Sequence, residues 1–328
     1  MIPRQVGRRI LLSVTLGAAV YAWIVWNADG AAVRAAFTRP GMLGVAATVC
    51  GLALANYMVR FVKWEMYRKW TGIELDRRSS LLAFLSGFVL SVTPGKVGEA
   101  FKSYLVKRVD GTPISRSAPI VLAERVTDLV GYLVLMAIGS FGTFGESMWI
   151  FGGALAVVAA LVVGIASERV EHTVLGLVRR LPIIGRVAHK AETAIDSARS
   201  LLAPSRLALP CLLSVIGWGL ECVGFWIVAG AMVPEDATVP GLAWCTLLYA
   251  TAAVAGALSF LPGGLLVTEG LLGHRLHHVA YAGAAGAGAA AGAATILVRV
   301  CTLWFAVLVG LFATAAFVRR HGAPDEVA

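Results

Sequence analysis

Charged side chains are scarce in this chain: Asp, Glu, Lys and Arg make up 14% of its 328 residues, whereas hydrophobic residues make up 58%. The mean hydropathy is +0.79, a value that excludes an ordinary soluble domain. Apolar runs of about 20 residues recur, a length typical of bilayer-crossing helices and not of barrel strands. The sequence therefore predicts an all-α polytopic membrane protein.

Cysteine pairs and nucleotide-binding loops are also lacking. All five cysteines lie in apolar runs, with no CxxC pair and no metal-ligand spacing: Cys50, Cys211, Cys222, Cys245 and Cys301. They are expected to be small buried residues, and no P-loop of the Walker type occurs. The formal charge of +9 comes from basic residues in short loops, which favours membrane topology over nucleic-acid binding. We therefore expect no cofactor, no metal and no nucleic-acid partner.

The chain is expected to form a single transmembrane domain over residues 1–328. About six full spans and two broken or re-entrant helical hairpins are predicted. The first half covers about residues 1–166, an interfacial amphipathic region about 167–205, and the second half about 206–320. Basic loops favour both termini on the cytoplasmic side of the cytoplasmic (inner) membrane.

The second predicted span, about residues 42–62, ends with Arg60, Lys63 and Trp64 at helical spacing. Two interpretations are open. These residues are interfacial anchors whose cations snorkel to the membrane surface, or they contact a lipid headgroup.

A polar interruption at residues 94–102, PGKVGEAFK, follows an apolar stretch of only fourteen residues, 80–93. Fourteen helical residues extend about 21 Å, less than the roughly 30 Å of a hydrocarbon core. The segment from 80 to 116 is therefore predicted to be a re-entrant hairpin approached from inside. A helix that restarts after Pro-Gly offers free N–H groups and a positive dipole end, which suit an anion such as phosphate.

Glu124, Arg125 and Asp128 lie inside the next apolar run, residues 117–141. Each costs on the order of 2.5–3.5 kcal/mol at a span centre, so all three need partners. Arg125 can reach Asp128 three residues on, which leaves one carboxylate to pair with another cation. Lys96, Lys102 and Arg299 are the candidates.

A second interruption, Pro262-Gly263-Gly264, follows the apolar run at residues 241–261. It shares Ser-x-x-Pro-Gly with the first, is followed by Glu269, and precedes a span that holds Arg299. The predicted topology approaches it from outside. Residues 241–280 form either a hairpin or two full crossings, since both return to the same side, and composition favours the broken element. Two broken helices approached from opposite sides indicate an inverted repeat with a central site.

Three motifs in this order, PGKVGEAFK, ER-x-x-D and LPGGLLVTEG, resemble the flippase-like transmembrane region of the lysylphosphatidylglycerol synthase/flippase (multiple peptide resistance factor) family. The resemblance implies a membrane protein that moves a polar or aminoacylated lipid between leaflets. Its motifs, with Arg299 added from the repeat, give these candidate substrate-binding residues: Pro94, Gly95, Lys96, Gly98, Glu99, Lys102, Glu124, Arg125, Asp128, Pro262, Gly263, Gly264, Glu269 and Arg299. Leu266 stands where the family usually has glycine, which leaves the geometry of the second loop open.

The predicted function is that of a lipid flippase or transporter whose partners are membrane lipids with anionic or zwitterionic headgroups. A homo-oligomer is compatible with the sequence. Only residues 319–328 follow the last predicted span, so a stand-alone member without the soluble synthase domain, and no tRNA-dependent aminoacyl transfer, is expected. Glu124, Asp128, Glu221 and Glu269 are candidates either for carrying protons or for structural ion pairs.

The alternative is a membrane-embedded enzyme that acts on a lipid headgroup or a polyprenyl carrier. Glu99, Glu124 and Asp128 would be its acid–base residues, and His274, His277 and His278 its metal ligands, although an interfacial position suits these histidines better. A scaffold without transport is a third interpretation.

Overall fold

The computed structural model describes residues 15, 17–26, 29–93, 100–141, 152–153, 156 and 200–322, and the described part contains no strand. Its helices, in chain order, are α1 (Gly17–Trp26), α2 (Gly30–Phe37), α3 (Met42–Trp70), α4 (Arg77–Ser86), α5 (Ala100–Asp110), α6 (Ile114–Phe141), α7 (Pro204–Met232), α8 (Leu242–Leu258), α9 (Val267–Arg275) and α10 (Ala287–His321). By length and composition, α3, α7 and α10 are able to cross a membrane. The all-α membrane class is thus confirmed.

Several predicted residues and segments lie outside the described residues, in whole or in part. Pro94, Gly95, Lys96, Gly98 and Glu99 of the first motif are among them. So are residues 1–14 and 16, and residues 142–199 apart from 152, 153 and 156, a stretch that includes the predicted interfacial region up to residue 199.

The basic loops meet at one end of the bundle. Arg320 pairs with Asp76 at 3.3 Å, and Arg108 donates to the carbonyl of His321 at 3.3 Å. Hydrogen bonds from the side chain and backbone of Ser79 lower the pKa of Asp76, which caps α4. The loops that topology rules place together on one side are therefore together in space.

The loop between α7 and α8, which holds Glu235 and Asp236, lies at the opposite end. The backbone N–H of Ala285 donates to the Asp236 carboxylate at 3.1 Å, and the hydroxyl of Tyr281 donates to the carbonyl of Ala229 at 2.6 Å. The loop before α8 and the loop before α10 therefore share this end, which we call the acidic end.

The first hairpin consists of α4, a 3₁₀ extension (Gly87–Leu90) and α5. Gly87 faces the side chain of Lys102, and Ala83 packs in one cluster with Leu105. Because these two pairs run in opposite chain directions, the arms are antiparallel, and both lead to the basic end. The antiparallel arms are those that the predicted hairpin requires, and its turn at residues 94–99 lies outside the described residues.

The second hairpin consists of α8, a 3₁₀ turn (Pro262–Gly264) and α9, which ends in a π-helical turn (Leu276–Ala280). Thr268 donates to the carbonyl of Ala252 at 3.3 Å, and Gly256 packs against Gly264. Both arms of this hairpin lead to the acidic end. The 17 residues of α8 extend about 25 Å, short of a full crossing.

The described end of the first hairpin's outgoing arm, at Val92, meets the turn of the second hairpin inside the bundle. A Cβ atom added to Gly263 would lie 3.6 Å from the Cα atom of Val92. Around the tips, α3 packs along α7, α6 packs along α7 and α8, and α10 packs along α4. The hairpins are therefore enclosed by longer helices, as an internal site requires.

A π-helical turn (Val300–Trp304) interrupts α10. The carbonyl of Thr302 in this turn accepts a hydrogen bond from the hydroxyl of Tyr57 at 2.9 Å. A π turn leaves part of the helical hydrogen-bond ladder available to side chains and is common at functional sites. It lies directly after Arg299, next to both hairpin tips.

Gly310 of α10 provides a test of the contact between α10 and the first hairpin. A Cβ atom there would lie 2.5 Å from the backbone N of Val89, and backbone cannot move away as a flexible side chain can. We expect Gly310→Ala to lower stability by about 1–3 kcal/mol, measured as a fall in Tm in detergent. Gly51→Ala is the matched control, since Gly51 has no neighbour within 4 Å. A Tm loss as large in the control would contradict the packing described.

Candidate functional site

A cavity of about 240 Å³ lies between the hairpin tips. Four charged side chains line it: Arg60, Arg125, Glu221 and Arg299. Aromatic side chains form much of the remaining wall, namely Tyr57, Phe88, Tyr132, Trp218 and Tyr249. Ionisable groups inside a membrane protein face such cavities because lipid cannot solvate them.

The rim of this central cavity is apolar and open. Phe260 lines the cavity and is 72% exposed, and Leu258 beside it is 69% exposed. Ala257 also lines the cavity at this rim and is exposed. The cavity therefore joins a charged interior to an apolar border, the combination that an amphiphilic molecule requires.

Arg60 lies between two aromatic rings, 4.9 Å from the centroid of Trp218 and 5.3 Å from that of Phe88. Its guanidinium lies 3.8 Å from Asp128. Within the described residues, two buried donors of this group have no hydrogen-bond partner: Nε of Arg60 and Nε1 of Trp218. Unsatisfied buried donors call for an acceptor, so this wall of the cavity is suited to an oxyanion.

Glu221 of α7 lies one helical turn from Trp218 and is held by hydrogen bonds. Its carboxylate accepts from Nδ2 of Asn56 at 2.6 Å and from the hydroxyl of Tyr249 at 2.7 Å. These contacts join α3, α7 and α8 around the cavity. They also fix the carboxylate where a bound molecule would meet it.

Arg299 links the second hairpin to α10. Its Nε donates to Oε1 of Glu269 at 2.7 Å, and its Nη2 donates to the carbonyl of Gly263 at 2.6 Å. Both charged residues are nearly fully buried. Arg299 thereby fixes the position of the hairpin tip relative to the cavity it lines.

Asp128 is paired with cations from α3. Nζ of Lys63 lies 2.5 Å from Oδ1 of Asp128 and also donates to Ser214 at 2.7 Å. Arg125 stabilises the Asp128 charge electrostatically as well. A buried carboxylate with this much positive charge around it is a structural centre that joins α3, α6 and α7.

Glu124 is paired with Lys102, and both side chains are fully buried. Nζ of Lys102 lies 3.0 Å from Oε2 of Glu124 and 4.7 Å from the ring centroid of Phe84. Of the three cations predicted as partners for this carboxylate, Lys102 is the one observed, and Arg299 pairs with Glu269 instead. The pair fastens α5, the return arm of the first hairpin, to α6.

Of the two interpretations left open for Arg60, Lys63 and Trp64, the one that makes them snorkelling anchors is contradicted by their burial. Lys63 and Trp64 are 0% exposed and Arg60 is 6% exposed. The helix α3 continues to Trp70, two turns beyond the predicted end, so these residues lie in the interior. One signal was available: Asn56, Arg60 and Lys63 are spaced i, i+4, i+7, which places all three polar groups on one face.

The predicted site residues divide into two groups. Arg125, Gly263, Gly264 and Arg299 line the central cavity, whereas Lys102, Glu124, Asp128 and Glu269 form the ion pairs around it. Pro262 begins the turn that carries the two glycines. Sequence reasoning missed Trp218, Tyr132 and Tyr249, because aromatic residues in an apolar helix carry no positional signal of their own.

The histidines do not group as metal ligands. Among the described residues, no three His, Cys, Asp or Glu side chains come together in a way that could hold a metal ion. The rings of His274, His277 and His278 instead stack on one another, with centroids 4.5 Å and 4.2 Å apart in the two close pairs.

Leu266 and Phe260 flank the second turn with strained backbone. Their φ angles are 73° and 55°, in a region that side chains other than glycine rarely adopt. Leu266, with ψ of −51°, approaches a γ-turn conformation. The loop thus has the geometry that glycine favours, although the residue here is leucine.

The comparisons with known proteins agree with this architecture. A family model described as the lysylphosphatidylglycerol synthase TM region matches residues 10–310. The search of curated proteins found no match.

Loss of the Lys102 cation is expected to lower the free energy of unfolding. Lys102→Met leaves the Glu124 carboxylate buried without its partner, which costs about 3–5 kcal/mol and is measurable as a large fall in Tm. The double variant Lys102→Met/Glu124→Gln should recover part of this loss. Arg320→Ala is the control, because its pair with Asp76 is 40% and 50% exposed and should cost less than about 1 kcal/mol. A single variant no less stable than this control would contradict the buried pair.

Substitution of Leu266 tests the backbone strain. Residues in sparsely populated conformations cost about 1–3 kcal/mol, and the extra unfolded-state entropy of glycine offsets about 0.5–1 kcal/mol. Leu266→Gly should therefore keep or raise the Tm. Leu212→Gly, at a 54% exposed position inside α7, should lower the Tm, because glycine in a helix interior costs about 1 kcal/mol of stability. Equal losses in both variants would mean that Leu266 is not strained.

Proposed function

This chain belongs to the family of the lysylphosphatidylglycerol synthase transmembrane region, and from that premise we propose that it moves a lipid with a polar or charged headgroup between the leaflets of the cytoplasmic membrane. The observation that carries the proposal is the central cavity, where three arginines and one carboxylate lie behind an apolar rim. The headgroup enters the charged interior while the acyl chains remain in lipid.

The lipid recognised has a phosphate-type oxyanion. Nε of Arg60 and Nε1 of Trp218 supply two buried donors without a partner in the described part of the chain. Arg125 and Arg299 add positive charge to the same cavity. Guanidinium groups suit phosphate because several N–H donors point in one plane. Glu221 supplies an acceptor for a hydroxyl or ammonium group elsewhere on an anionic or zwitterionic headgroup.

The two hairpins form an inverted repeat that alternately opens the cavity to each side. They enter from opposite ends of the bundle, their tips meet, and each return arm is fastened to the following span by one ion pair, Lys102–Glu124 or Glu269–Arg299. Matched broken helices around a central site are the usual basis of alternating access. The basic end faces the cytoplasm, as its Lys and Arg content favours.

A membrane-embedded enzyme remains the competing function, but the ion pairs argue against the acid–base residues expected for it. Glu124 and Asp128 are engaged by Lys102 and Lys63, and neither lines the central cavity. Among the described carboxylates, Glu221 is the one that lines the central cavity, and Glu99 lies outside the described residues. Chemical turnover of a lipid without leaflet exchange would favour the enzyme.

The test is a leaflet-exchange assay with fluorescent phosphatidylglycerol and phosphatidylethanolamine in vesicles made of the same two lipids. Ala257→Trp places an indole at the cavity rim, where Ala257 is exposed and space is available, and exchange should fall to the rate of protein-free vesicles. Ala315→Trp is the control, since Ala315 is exposed on α10 away from the cavity. Unchanged exchange in the Ala257 variant, with both variants equally folded, would overturn the proposed route.

A further inference from the structure

The central cavity is small for a lipid headgroup. Its volume of about 240 Å³ compares with roughly 150 Å³ for an engineered cavity that holds benzene. By that comparison it holds about ten non-hydrogen atoms. Phosphoethanolamine and phosphoglycerol groups have about eight and about ten such atoms, whereas a lysyl ester or a hexose adds at least about nine more. The two small headgroups therefore fit inside the cavity, and aminoacylated or glycosylated headgroups do not.

Contacts between helices fix the walls of this cavity. The ring of Tyr132 stacks on Trp218 with centroids 4.7 Å apart, which joins α6 to α7. Hydrogen bonds from α3 and α8 hold Glu221 in place. On the side of the second hairpin, Nη2 of Arg299 donates to the carbonyl of Gly263 at 2.6 Å. Packed interiors resist changes of volume, so a larger headgroup cannot widen the cavity without breaking these contacts.

Two helices set the distance between the phosphate donors and the acceptor. On α7, Trp218 and Glu221 are three residues apart. Their partners on α3 are four residues apart: Asn56 donates to Glu221, and Arg60 lies over Trp218. Residues at these spacings have Cβ atoms about 5–6 Å apart on one helix face. The phosphate donors and the carboxylate are therefore separated by one helical turn.

A short headgroup matches this separation. With bond lengths of about 1.5 Å, a two-carbon arm places its donor about 4–5 Å from phosphorus. The amino groups of a lysyl ester lie beyond the glycerol, about 8 Å or more from phosphorus. They would pass Glu221 and reach the apolar rim at Leu258 and Phe260, where a charged group is costly. The cavity thus favours a donor close to the phosphate.

We propose that the central cavity selects phospholipids whose hydrogen-bond donor lies two or three carbon atoms from the phosphate oxygen, as in ethanolamine and glycerol headgroups, and excludes aminoacylated and glycosylated headgroups. The phosphate accepts from Nε of Arg60 and Nε1 of Trp218, and the ammonium or hydroxyl group donates to Glu221. Of the buried side-chain donors left without a partner in the described part of the chain, only these two belong to residues that line the cavity. This selection rests on the proposed function, because it names which lipids the same cavity carries. It differs from the aminoacylated lipid that the family resemblance implies.

The first test measures binding and needs no transport. Short-chain phosphatidylethanolamine, phosphatidylglycerol, phosphatidylcholine and lysylphosphatidylglycerol are titrated into the full chain in detergent, and affinities are measured by calorimetry. Phosphatidylcholine is the matched probe, since it carries the charges of phosphatidylethanolamine without an N–H donor. The first two lipids should bind at least about tenfold more tightly than the last two, the difference expected for one hydrogen bond to a charged group. Similar affinities for all four lipids, or no binding of the first two, would overturn the selection.

The second test widens the cavity. Tyr132→Ala removes a ring from the wall and should raise the affinity for lysylphosphatidylglycerol by about tenfold, the scale on which pocket size discriminates ligands. A gain of binding cannot come from misfolding. Tyr104→Ala is the control, because Tyr104 stacks on Phe101 in the first hairpin and does not line the cavity. An unchanged affinity in Tyr132→Ala would contradict the size limit.

A third variant distinguishes the two donors. Glu221→Gln keeps an acceptor oxygen but removes the negative charge. If the ammonium group binds there, the affinity for phosphatidylethanolamine should fall about tenfold more than that for phosphatidylglycerol, because charge-assisted hydrogen bonds are the stronger ones. Equal falls for both lipids assign the contact to a neutral hydrogen bond. Glu235→Gln, in the loop before α8, is the control, and no loss for either lipid in Glu221→Gln would overturn the donor site.

Lipid exchange separates the selection from the proposed function. With probes labelled on an acyl chain in vesicles of phosphatidylcholine, phosphatidylethanolamine and phosphatidylglycerol should cross about tenfold faster than lysylphosphatidylglycerol. Equal protein-dependent exchange of all three probes would keep the proposed function and refute the selection. Selective binding without any exchange would refute the proposed function and leave the selective site standing.

Discussion

The architecture depends on one constraint: charges buried away from water must be neutralised by partners on other helices. Lys102 with Glu124, Lys63 with Asp128 and Arg299 with Glu269 are nearly or completely inaccessible. Removing one partner of such a pair costs far more than the pair itself contributes. Each pair therefore specifies which helices must be neighbours.

The half-length helices follow from the same constraint. A helix that ends inside the bilayer and faces lipid would leave backbone N–H and C=O groups without hydrogen bonds. The hairpin tips must therefore be enclosed by protein. The bundle of α3, α6, α7, α8 and α10 provides that enclosure. With this enclosure in place, a polar cavity at the hairpin tips can be lined by side chains that are already paired with residues of the surrounding helices. The site is thus a consequence of where broken helices can be tolerated.

The sequence predicts the fold well wherever a signal is local. The first interruption follows from Pro-Gly after an apolar segment too short to cross a membrane, and the second from the Ser-x-x-Pro-Gly pattern that it shares with the first. The described arms on either side are antiparallel in both places. The sequence also predicts that Glu124 pairs with a distant cation, because an unpaired carboxylate in a membrane span is energetically costly. The sequence does not predict which cation pairs with Glu124, because that depends on tertiary contacts such as the one between Gly87 and Lys102.

The candidate site is only half predictable for the same reason. Arg299 and the glycines of the second turn follow from the motifs, whereas Arg60 and Trp218 depend on the packing of α3 against α7. Arg60 in particular sits where composition alone suggests a membrane surface. Spacing on one helical face carries that information, but only when the helix is known to continue past its apolar part.

The π-helical turn in α10 has a further consequence. A π turn takes up one extra residue, so the helix after it is rotated by about 100° relative to an unbroken α-helix. Before the turn, Arg299 faces the second hairpin; after it, Gly310 and Phe317 face the first. One helix can therefore contact both hairpins. The angle between its two contact faces is set by one inserted residue.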